Sequence, residues 1–185
     1  AIALLSEATA PPMKTITAAG HKLGGETVLF RHEKTLVNRN VYAVQVGDCL
    51  DDAAADAALA QLEKVDYERI GEREYVEFVF VHDAGRDTEK LVRFAQKAAA
   101  IGRGVIVETT NPDAAAVIAA CPEAVIDGVN AQNWEAMQAA VGGKAILAVG
   151  GESLAEIYDT VEKLEKAGNK NLLLDVTGKT VKETF

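Results

Sequence analysis

The chain predicts an α/β fold of the (β/α)8, TIM-type barrel class, incomplete at about six βα units and preceded by a β-hairpin. Three observations carry that prediction. Short runs such as 78–81 and 145–149 are apolar throughout instead of alternating, which requires cover on both faces and hence a parallel sheet. Each run is followed at once by helix-start signals and, after a helical period, by glycine. Polar residues gather where the strands end, at Asp48, His82, Asp83, 108–111, Asn130, Glu152 and Asp175, as at the C-terminal mouth of a barrel. An open doubly wound sheet would concentrate them at one switch point.

The elements follow in order. Residues 1–22 have the pattern of a connector: 1–8 are helix-prone, Pro11 and Pro12 break that run, and 15–22 show no helical period. The stretch GGETVLFRHEKTLVN, 24–38, alternates on either side of the charged cluster Arg31, His32, Glu33 and Lys34, and is a predicted hairpin. Its apolar face, with Val28 and Phe30, suits a plug across the N-terminal end of the barrel, with His32 an exposed turn residue. A β-prone run at 42–46 precedes an Ala-rich helix from Asp51 to about Arg69, and YVEFVFV, 75–81, is the strongest strand. Asp87 or Thr88 then caps a helix whose apolar stripe is Leu91, Phe94, Ala95, Ala98 and Ile101. The strand 104–108 leads to Asn111-Pro112, a cap with proline at the first helical position. Further strands fall at 125–129, 145–149 and 171–175, with helices at 134–141 and from the capping-box run Ser153 to Glu156. A last helical start follows Thr177, Gly178 and Lys179.

At 185 residues, 49% hydrophobic and 25% charged, the composition is globular, with length enough for a sizeable core. The net charge of -9 argues against nucleic acid or an anionic membrane surface as a partner. No apolar run reaches the roughly 20 residues that span a bilayer, and the N-terminus lacks a signal-peptide pattern, so a cytoplasmic protein is expected. Cys49 and Cys121 stand far apart without a neighbouring histidine and suggest neither a disulfide framework nor a metal site.

The runs APPM, GGETVLFRHEKTLVN, VGD, YVEFVFV, NAQNWEAM and LLLD resemble the large, gamma subunit of the corrinoid iron–sulfur protein of the acetyl-CoA synthase/CO dehydrogenase system. ETVLFRHEKT is the most specific piece, and the resemblance covers essentially the whole chain. It implies that residues 1–22 are a linker after an iron–sulfur domain absent here, and that 23–185 are part of the central barrel, a scaffold docking the small subunit and flanking domains. The complete protein would carry a methyl group from methyltetrahydrofolate or another methylated pterin to acetyl-CoA synthase. Its [4Fe–4S] cluster and cobalt corrinoid belong to regions outside this segment, and its partners would include the small subunit, a methyltransferase and acetyl-CoA synthase. This segment is not expected to be catalytic by itself.

Four residues are candidate ligand groups. Asn130 and Asp175 end strands and, on the alternative reading of a pterin-binding methyltransferase barrel, would meet the donors and acceptors of a pterin edge; each could equally cap the following helix. Gly150 and Gly151 precede a helix N-terminus in the manner of a simple phosphate cradle, though a tight turn also explains them. His82 and Asp83 are neighbours on an extended strand, so they cannot face one substrate atom together.

Overall fold

The computed structural model describes residues 13–30, 33–119, 121, 123–178 and 180, with the side chains of 26–36 left outside the description. A hairpin of β1 (Thr15–Ala18) and β2 (His21–Gly24) is followed by a second of β3 (Glu26–Phe30) and β4 (Glu33–Leu36). Then come β5 (Ala43–Gly47), α1 (Asp52–Glu63), a third hairpin of β6 (Asp66–Arg69) and β7 (Glu72–Tyr75), and β8 (Phe78–His82). The chain continues through α2 (Thr88–Ala100), β9 (Gly104–Glu108), α3 (Pro112–Ile118) and β10 (Val125–Val129). It proceeds to α4 (Trp134–Val141), β11 (Ile146–Val149), α5 (Leu154–Lys166) and β12 (Leu172–Leu174).

Six strands form one parallel sheet in the order β5-β8-β9-β10-β11-β12, so spatial order follows chain order and never doubles back. Strand alternation divides the sheet into two faces. Val79, Val81, Val105, Val107, Ile126, Leu147 and Val149 pack with Leu91, Phe94, Ile118, Met137 and Leu164 of the helices. Phe78, Val125, Ile146 and Ala148 form a second cluster with Ala18, into which, among the described residues, no helix residue enters. Helices on one face, with consecutive parallel strands, are the arrangement of a (β/α)8-type arc and not of a doubly wound sheet.

The helices start where local chemistry satisfies their first N–H groups. Asp51 Oδ1 accepts from the Ala54 N–H at 2.7 Å, Asp87 Oδ1 from Lys90 at 3.1 Å, and Asn111 Oδ1 from Asp113 at 3.0 Å ahead of Pro112. At α5 the Ser153 hydroxyl accepts from the Glu156 N–H at 3.3 Å, while the Glu156 carboxylate accepts from the Glu152 N–H at 2.9 Å. At the base of β8, Glu77 is fully buried, its two oxygens taken by Arg39 and by the Tyr42 N–H at 2.9 Å.

Several expectations are corrected. Residues 15–24 are a hairpin, because Ala19 and Gly20, with φ of 48° and 78°, make the left-handed turn that joins two short strands. That hairpin covers the N-terminal end of the inner face, with Ala18 fully buried and the Gly20 N–H donating to Glu123 at 3.0 Å. The expected hairpin at 24–38 forms as β3–β4, but the proposed plug face of Val28 and Phe30, the charged tip and His32 lie outside the described side chains. The Ala-rich helix ends at Glu63 and not near Arg69, since Ile70 and Gly71, with φ of 53° and 79°, turn the charged stretch 66–75 into the β6–β7 hairpin. Tyr75 consequently belongs to β7, its ring in contact with the guanidinium groups of Arg73 and Arg103, and the sheet strand begins at Phe78. Residues 1–12 and the helical start expected after Lys179 lie outside the described residues.

Candidate site at the barrel mouth

All six strands point their C-terminal ends the same way, so the loops after β5, β8, β9, β10, β11 and β12 share one end of the arc. Alternation decides what each residue there faces. Asp48, Asp83 and Thr109 continue the helix-facing set, whereas His82, Glu108 and Asp127 continue the inner one.

The helix-facing group is structural. Asp48 is buried, and its Oδ1 accepts from the Gly85 N–H at 2.6 Å, which ties the end of β5 to the loop after β8. Asp83 Oδ2 accepts from the Thr109 hydroxyl at 2.8 Å, and the same oxygen of Thr109 accepts from the Asn111 N–H at 3.1 Å. His82 and Asp83 hydrogen-bond different partners at the end of β9, Glu108 and Thr109.

The inner group is acidic. His82 Nδ1 hydrogen-bonds Glu108 Oε2, its register partner on β9, and Glu108 is in turn the register partner of Asp127 on β10. A polar cavity of about 470 Å³ opens beside this pair, lined by His82, Asp83, Arg86, Glu108, Thr109 and Asn111 among others. Burial pushes the Asp127 carboxyl up to about 6, the Gly128 N–H at 2.7 Å opposes that rise, and the charges of Asp175 and Glu108 reinforce it. Sequence reasoning missed Asp127, although an aspartate set inside an apolar strand run and ahead of a glycine is the signal that could have found it.

A raised folded value means that ionised Asp127 opposes folding. Its cost is absent below about pH 3.8, grows as pH rises, and is complete above about 6. Asp127→Asn is therefore expected to stabilise the chain at pH 7.5, by at most about 3 kcal/mol, with the gain vanishing near pH 4. Urea denaturation of both proteins at the two pH values checks this, and equal stability at pH 7.5 would refute it.

The predicted ligand groups are placed as follows. Asn130 Oδ1 accepts from the N–H groups of Gln132 and Asn133 at 2.9 and 3.2 Å, and its Nδ2 reaches the Gly128 carbonyl at 3.5 Å, so the amide folds the loop before α4. Asp175 Oδ1 accepts from the Thr177 N–H at 3.0 Å, and its Oδ2 lies against Gly150. The Gly150 N–H donates to the Val129 carbonyl at 2.8 Å, and a Cβ at Gly151 would lie 3.2 Å from the Glu156 carboxylate, so an acid already stands beside the pair. Asp175 and Gly150 thus meet across β11 and β12, while Asn130 sits on the neighbouring loop. Cys49 follows β5 at the mouth and Cys121 precedes β10 at the other end, so these two thiols cannot supply the clustered four-thiolate set of an iron–sulfur centre.

Solved structures share the fold. Dihydropteroate synthase from Thermus thermophilus superposes with a TM-score of 0.64 at 12% identity, covering 92% of this chain and 69% of that one. A dihydropteroate synthase from Xanthomonas albilineans gives 0.58 at 15% identity, covering 93% and 69%. In sequence, the corrinoid/iron–sulfur protein large subunit of Moorella thermoacetica is 30% identical over 180 residues, 92% of this chain and 40% of that protein. The acetyl-CoA decarbonylase/synthase complex subunit gamma of Methanosarcina acetivorans is 28% identical over 200 residues, spanning all of this chain and 42% of that protein. The chain thus spans about two fifths of the length of these relatives. With residues 17–185 matching the model of the family described as CO dehydrogenase/acetyl-CoA synthase delta subunit, the chain belongs to that family.

Proposed function

We propose that the chain is the central barrel of a corrinoid iron–sulfur methyl carrier, acting as the scaffold on which a small subunit and the flanking cluster and corrinoid domains dock. The observation that carries this reading is the family match across 17–185, joined to the likeness to a large subunit over 92% of the chain. On it, the whole protein takes a methyl group from methyltetrahydrofolate or a similar methylated pterin, through a methyltransferase, and delivers it to acetyl-CoA synthase in the cytoplasm. The linker after the iron–sulfur domain is then confined to the residues before Thr15, since the 15–24 hairpin packs on the sheet and belongs with the barrel segment. The scaffold role is supported by the mouth itself, where the Asn130 amide and one Asp175 oxygen are spent on their own loops.

A second reading, direct pterin binding at the mouth by Asn130 and Asp175, is favoured by one observation. Among the described residues, Asp175 Oδ2 has no hydrogen-bond partner beside Gly150, and Asp175 stands close enough to Asp127 to raise its carboxyl. Calorimetry with methyltetrahydrofolate, alongside light scattering of the chain mixed with the small subunit, separates the two. The scaffold reading expects a one-to-one complex and no saturable heat. Saturable heat that Asn130→Ala abolishes, with no complex, would replace it by the second reading.

A further inference from the structure

The end of the arc opposite the mouth holds a cavity of about 530 Å³, between β1, the loop before β10 and the starts of β11 and β12. That volume is in the range of small-molecule sites, roughly 300–1,000 Å³. Its floor is apolar, with Ile146 and Ala124 buried and Ile16 half-buried, while Thr15, Thr17 and Asn171 add polar lining. Its rim is cationic. Lys14, Lys144 and Lys170 line it, all exposed, and among the described residues none of them forms an ion pair. The acid that lines it, Glu123, has an oxygen engaged by the Gly20 N–H at 3.0 Å.

Lys14, Lys144 and Lys170, gathered around one cavity, repel each other and create a local positive field that an anion relieves. Ammonium groups bind phosphate as point charges, and the apolar floor rewards a ligand that also brings a ring or hydrocarbon body. We propose that this cavity binds a phosphate-bearing ligand with an apolar or aromatic body, of nucleotide size. The site lies at the opposite end of the strands from His82, Glu108, Asp127 and Asp175, so it is independent of anything bound at the mouth.

Calorimetry on the full chain with ATP, tripolyphosphate, adenosine and hexaglutamate tests it. One molecule of ATP is expected to bind, more tightly than tripolyphosphate and far more tightly than adenosine, and more weakly as salt rises. The double variant K144E/K170E is expected to lose about tenfold or more of that affinity, since each ammonium contributes a charge-assisted contact. K64E, an exposed lysine outside the cavity, should bind as the parent does. Circular dichroism melting of K144E/K170E should match the parent, so that lost binding reports the site and not the fold. No saturable binding of ATP, or ATP binding that K144E/K170E leaves unchanged, would overturn the proposal. Equal affinity for tripolyphosphate and ATP would remove the apolar floor from the site and overturn the ligand class. Binding of hexaglutamate without ATP would assign the cavity to an acidic protein segment instead.

Discussion

Phe78→Ala is expected to lower the unfolding free energy by about 3–5 kcal/mol, the cost of emptying a large aromatic site in a packed core. Phe78 is fully buried in the inner cluster, with Ala18, Val125 and Ile146 around it. Its ring fills the space that Gly104 leaves by having no side chain, and it meets the His21 ring at a centroid distance of 5.5 Å. The cavity would therefore open along the seam between the β1–β2 hairpin and the sheet. Urea denaturation should show the loss, and limited proteolysis should cut within 15–24 sooner than in the parent. A loss below about 1 kcal/mol would mean that the hairpin is not held by this contact.

Gly128→Ala should be of comparable size. Gly128 interrupts β10 at a register shift between Ile126 and Val129, with φ at 94°. A Cβ there would stand 2.7 Å from the Thr109 carbonyl oxygen, a backbone atom that cannot rotate away. Backbone strain of about 1–3 kcal/mol adds to an overpacking cost of similar size. The damage would fall on the mouth, because Asp127 bonds the Gly128 N–H, and both Asn130 and Asn133 bond its carbonyl. Thermal melting with ANS fluorescence checks the outcome, and a variant as stable as the parent would show that β10 can straighten.

What is legible in the sequence follows from where physical signals are local. The strand at 104–108 and the caps Asp87, Asn111 and Ser153 are readable, because apolar runs and capping chemistry act within a few residues. The hairpins at 15–24 and 66–75 are not. Their strands are four residues each, and their turns rest on Ala19 and Ile70, residues that rarely take positive φ. At the mouth, the gathering of polar strand ends is visible, but which of them meet is not. Asp127 faces Glu108 through the register of β9 with β10, and a register is set by the whole sheet. Asn130 and Asp175 do stand at strand ends, and their loop-folding bonds match the capping alternative read from the same residues.

The β1–β2 hairpin is synthesised before the surface that holds it. Its own strands need only the stretch 15–24, and can pair within microseconds. Its binding surface, however, is drawn from Phe78, Val125, Ile146 and Ala148, and its turn is tied to Glu123, 103 residues downstream of Gly20. At a translation rate of about 5–20 residues per second, the hairpin waits several seconds for that surface to emerge. During the wait Ala18, Ile16 and Leu23 have nothing to cover, and the successive βα units assemble with their inner face open. The long loop that closes when the hairpin finally docks makes this the slow, non-local step of an otherwise local folding path.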